Sequence, residues 1–133
     1  MKTLHTVNAV VELGAGLALL CFPSPVVMLL LGSPLDAPAG LTVARVGGAG
    51  LLSLGVACWL ARGDSESRAS RGLGAAMLLY DVAAVAILAF AAFAFGLHGV
   101  ALWPAVVLHA VMTGWCVACL LRSSPPTSQP RPD

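Results

Sequence analysis

The sequence predicts an all-α fold: a four-helix transmembrane bundle with a short interfacial helix after the first span. Three observations predict it. Of 133 residues, 59% are hydrophobic and only 10% are charged, with a mean hydropathy of +0.92. A soluble domain carries about a quarter charged residues. Four stretches reach the roughly 20 apolar residues that a helix needs to cross a bilayer. Between the first and second stands a Pro-Ser-Pro break, followed by an apolar run too short to cross. A formal net charge of +1 lacks the basic footprint of a nucleic-acid binder.

The first span covers residues 4–22. Lys2 ahead of an apolar run has the look of a secretory signal, but Asn8 and Glu12 interrupt the run and no small-x-small cleavage pattern follows. It therefore reads as a retained helix. Cys21-Phe22-Pro23-Ser24-Pro25 then breaks that helix, because proline removes a backbone donor and clashes with the preceding turn. Ser24 as N-cap and Pro25 in the first turn start a short helix, Val26 to Leu31, that stops at Gly32. It is expected in the outer interface or folded back against the bundle. The loop Ser33 to Gly40 supplies Asp36 as a cap for the second span, residues 41–61. A polar loop, Arg62 to Gly72, leads to the third span, 73–95. The fourth covers 100–121. Residues 1–122 thus form a single four-span domain, and 123–133, rich in Pro and Ser, read as a disordered cytoplasmic tail.

Orientation follows from Lys and Arg in short loops. Lys2 precedes the first span; Arg62, Arg68 and Arg71 lie between the second and third; Arg122 and Arg131 follow the fourth. The other two connections carry neither residue type. Both termini and the middle loop are therefore expected in the cytoplasm. Phe22, Trp103 and the group Phe90, Phe93, Phe95 fall near the outer boundary, and Trp59 and Trp115 near the inner one, as aromatic belts require.

Each span also holds an ionisable residue well inside its apolar run: Glu12, Arg45, Asp81 and His109. Such groups are expensive in a bilayer and mark functional or pairing sites. Each shares a helical stripe with small or polar neighbours: His5, Asn8, Glu12 and Gly16; Arg45, Ala49, Ser53 and Ala57; Met77, Asp81, Ala84 and Leu88; Ala101, Ala105, His109 and Thr113. Small and polar residues are what membrane helices turn toward one another. All four charges are therefore expected to meet in one central cluster. Arg45 is its expected hub, since a guanidinium fork can bind two carboxylates. His109 can settle the remaining charge by titrating. His5, Asn8, Tyr80 and Thr113 are the expected supporting partners.

Cysteine adds a weaker signal. Cys116 and Cys119 form a Cys-x-x-Cys match, and Cys58 lies at a similar depth. They are the weak candidates for a metal site, but a cysteine in a helix interface usually acts as a small hydrophobe, and no metal is predicted. Haem would need histidines on facing helices at matching depth, which the spacing of His5 and His109 does not offer, so no cofactor is predicted. No Walker motif, Ser-His-Asp arrangement or His-Glu-x-x-His pattern is present.

The polar-acidic face His5, Asn8, Glu12, the break Phe22-Pro23-Ser24-Pro25 before Leu29-Leu30-Leu31-Gly32, and Ala44-Arg45-Val46-Gly47-Gly48 give the chain a look that resembles small uncharacterised four-span bacterial membrane proteins of the DoxX-like type. The resemblance implies a multi-pass bundle in a bacterial inner membrane and no particular activity. From the residues, the leading expectation is a protein that binds a small amphiphile above the charge cluster, or serves as an accessory subunit of a membrane complex or homo-oligomer. A proton-coupled carrier or membrane-embedded isomerase using His109 and a carboxylate is the alternative; a purely structural bundle is another. Beyond the bilayer and such a ligand or subunit no partner is expected, and no nucleic acid.

Overall fold

The apolar stretches become five helices in the computed structural model, which describes residues 1–64 and 67–122. They are α1 (Lys2–Cys21), α2 (Pro23–Leu31), α3 (Pro38–Ala61), α4 (Arg68–Phe95) and α5 (Leu102–Arg122). The described residues contain helices and turns and no strand. Four helices, all but α2, are long and apolar enough to cross a membrane. The expected tail, residues 123–133, lies outside the described residues.

Local chemistry sets the helix ends, and three differ from expectation. α2 begins at Pro23, with Phe22 as the shared cap between α1 and α2. Pro23 suits the first position of a helix because the donor it lacks would be unpaired there anyway. Ser24 is thus inside the helix, and its hydroxyl accepts from Leu35 N at 3.3 Å instead. α3 begins at Pro38 by the same logic, with Ala37 and not Asp36 at the cap; Asp36 stays exposed. α4 starts five residues before the expected boundary, because Ser67 accepts from Ser70 N at 3.1 Å and caps it. At the other ends, Gly32 (φ 73°) and Gly96 (φ 65°) adopt the left-handed conformation that closes α2 and α4.

The bundle is built from two tight pairs. α1 packs along α3, and α4 along α5. In the first pair the backbones nearly touch: a Cβ on Gly48 would lie 2.8 Å from Gly16 O and Leu20 N, and one on Gly16 would lie 2.6 Å from Leu52 N. Apolar side chains gain nothing by leaving lipid for each other, so close backbone approach through glycine is what holds such helices. Between the pairs runs a seam filled by side chains, with Leu4, Ala9, Cys58, Met77, Met112 and Cys116 as its buried apolar part.

Both ends of the seam are bridged. At the α1 N-terminus, His5 Nε2 and Ser70 Oγ hydrogen-bond at 2.9 Å. At the opposite end, α2 folds across from α1 to α5. Ala101 N donates to Leu29 O at 2.9 Å, so an orphan carbonyl of one helix end satisfies the amide just before another. Gly99 is pressed against the Leu29 and Leu30 backbone, where a Cβ would collide.

Candidate functional site: a polar seam between two helix pairs

Three of the four expected cluster residues turn into the seam. Glu12 on α1 and Asp81 on α4 are 2% and 1% exposed. His109 on α5 donates from Nδ1 to Asp81 Oδ1 at 2.8 Å. The antiparallel course of α4 and α5 puts these two at equal depth. Tyr80 stacks edge-on against the imidazole, with centroids 5.4 Å apart and planes at 83°. The Cys116 thiol reaches toward Asp81 Oδ2 at 4.0 Å. Glu12 lies within electrostatic reach of both members of the Asp81–His109 pair.

Arg45 is not the hub. It lies on the exposed side of α3, as do Ala49 and Ser53. The reason is a competition between two small-residue faces on that helix. Gly48 and Gly55 let the α1 backbone come closer than Ala49 and Ser53 would allow, since a Cβ on Gly55 would already lie 2.9 Å from Leu13 N. The glycine face wins the contact, and Arg45 turns outward. Ser53 Oγ is spent on Ala49 O at 2.9 Å and offers nothing to a neighbour.

The supporting residues also sort differently. Asn8 is 2% exposed and abuts Cys116. His5 pairs with Ser70 at the end of the seam, about 10 Å along α1 from Glu12 at 1.5 Å rise per residue. Thr113 donates to His109 O at 2.8 Å, so it touches that residue's backbone and not its ring. Ser70 was hidden by its place in what reads as a polar loop; the Ser67-x-x-Ser70 capping pattern was the available signal. Cys58 and Cys116 occupy the seam core, and Cys119 packs beside it. Among the described residues no three His, Cys, Asp or Glu side chains converge in metal-binding geometry.

Several polar atoms in the seam are poorly matched. Glu12 Oε2 and His5 Nδ1 are buried without a hydrogen bond, and Asn8 Nδ2 meets only sulfur, in the Cys116 thiol. All three come from one face of α1. An unmet buried polar group is costly, and native proteins pair nearly all of them. Beside the Asp81–His109 pair lies a groove of about 180 Å³ lined by Val82, Val85, Ala110 and Thr113. Val82 and Ala110 directly follow the paired residues in sequence, and Val85 and Thr113 lie one turn on.

Fold and site together define a helical bundle of four membrane-length helices with an acid–imidazole pair and a second acid between its halves. Comparison with protein-family models, curated proteins and solved structures finds no match for this chain.

Proposed function

We propose that the chain is a multi-pass membrane protein that binds a small amphiphile, with the ligand's polar head in the seam and its apolar part along the groove between α4 and α5. The observation that carries this reading is the orphaned Glu12 Oε2, buried in the seam within electrostatic reach of the Asp81–His109 pair. It leaves one acceptor for a ligand. The fold fits the role. Each helix pair is tightly packed within itself, whereas the seam between pairs holds polar groups that gain from a guest. α2 forms a lid over one end, hinged at Phe22-Pro23 and seated on Gly99. The distribution of Lys and Arg supports cytoplasmic termini and a cytoplasmic loop 62–72, and the DoxX-like look supports a bacterial inner membrane.

Native mass spectrometry of the gently solubilised protein tests the reading. The wild type should retain a small-molecule adduct that Glu12→Gln and Asp81→Asn lose while keeping their helical circular dichroism. Equal adducts in the wild type and in a folded double amide variant would reject it.

A further inference from the structure

The outward turn of Arg45 changes what the seam can hold. With a guanidinium between them, Glu12 and Asp81 would be largely neutralised within the protein and would leave little unmet charge for a head group to match. Without it, the seam holds two acids and one imidazole, and that imidazole already gives its Nδ1 to Asp81. Among the described residues no Lys or Arg is buried, so Glu12 has no fixed cation beside it. Its Oε2 is an acceptor lacking a donor. Asn8, one turn away on α1 and equally buried, meets the Cys116 thiol with its amide end, and a half-turn of that amide would present its carbonyl to a donor instead. Bringing a further anion here would place like charges together in a low-dielectric interior, whereas a cation with N–H groups would both neutralise and satisfy Glu12.

Resting on the seam-binding reading above, we infer that the head group is a positively charged nitrogen bearing N–H donors, an alkylammonium-class amphiphile, held by Glu12 with Asn8 as second contact. Asp81 remains committed to His109, so it acts as a positioning residue that holds the imidazole. The groove flanked by Val82, Val85, Ala110 and Thr113 accommodates the chain of such a ligand, because its walls are mostly apolar.

The test uses the full chain in lipid nanodiscs with three probes of one chain length: n-octylammonium, n-octanol and n-octanoate. Thermal unfolding is recorded for the wild type and Glu12→Gln against concentration of each probe; the variant corrects for probe dissolved in lipid. Octylammonium should stabilise the wild type, and Glu12→Gln should weaken that effect on the order of tenfold or more, the loss expected for one charge-assisted hydrogen bond. Octanoate should give no Glu12-dependent shift. Should octanol or octanoate match octylammonium in a Glu12-dependent way, the charge preference is wrong while seam binding stands. If no probe gives a Glu12-dependent shift, the charge preference is overturned, and the adduct experiment decides seam binding separately. Asn8→Ala serves if Glu12→Gln does not fold: it should weaken octylammonium as well, and an unchanged response would overturn the assignment.

Discussion

At the scale of single residues, the chain separates two uses of charge. Asp81 and His109 satisfy each other at 2.8 Å, whereas Glu12 keeps an unpaired oxygen. Interhelical hydrogen bonds in membrane proteins average well under 1 kcal/mol and peak at about 1.7. A double-mutant cycle with Asp81→Asn and His109→Gln, read by unfolding in denaturing detergent, should therefore return a coupling of about 0.6–1.7 kcal/mol. Glu12→Gln should cost less than either single change, because it breaks no bond within the protein. Arg45 makes the opposite case. Its exposed position predicts that Arg45→Leu leaves stability within about 0.5 kcal/mol and leaves amphiphile retention unchanged. A large loss of either would return Arg45 to the seam.

At the scale of helices, glycine decides which faces meet. Gly48 and Gly50 lie two residues apart on α3, yet their surroundings differ. Gly48 is pressed on the α1 backbone; a Cβ on Gly50 would meet nothing within 4 Å. Gly48→Ala should force the helices apart and cost about 1–3 kcal/mol, the range of overpacked interiors. Gly50→Ala should be neutral or stabilise by about 0.5–1 kcal/mol, since alanine loses less backbone freedom in a helix. Both are read by the same detergent titration, and equal effects would refute the packing described for α1 and α3. The short helix α2 owes its place to similar chemistry: a proline opens it, a left-handed glycine closes it, and its last turn is completed by a bond to Ala101.

At the scale of the whole molecule, the seam is closed at both ends by single contacts, His5 with Ser70 and α2 with α5. That arrangement makes opening a local event. Gly99→Ala should unseat α2, because its Cβ would collide with the Leu29 and Leu30 backbone. The Ala101 amide, which donates to Leu29 O, should then exchange with solvent deuterium several-fold faster, while the far-off Gly63→Ala should leave its rate unchanged. An unaltered rate in Gly99→Ala would show that α2 is not the lid.

Hydropathy alone determined the all-α class, the four long helices and the short proline-started one, because crossing a bilayer demands a length and a composition that are written locally. The inward faces of α1, α4 and α5 were also readable, since Glu12, Asp81 and His109 each lie on a stripe with small or polar neighbours and α1 offers only one such stripe. α3 offers two. Only tertiary structure decided between Gly48-Gly55 and Arg45-Ala49-Ser53, because the choice depends on how closely the α1 backbone can approach, a property of the pair and not of either strand of sequence. The same holds for His5 with Ser70 and for Leu29 with Ala101: each bond joins residues more than sixty positions apart, so it exists only once the two helix pairs have docked.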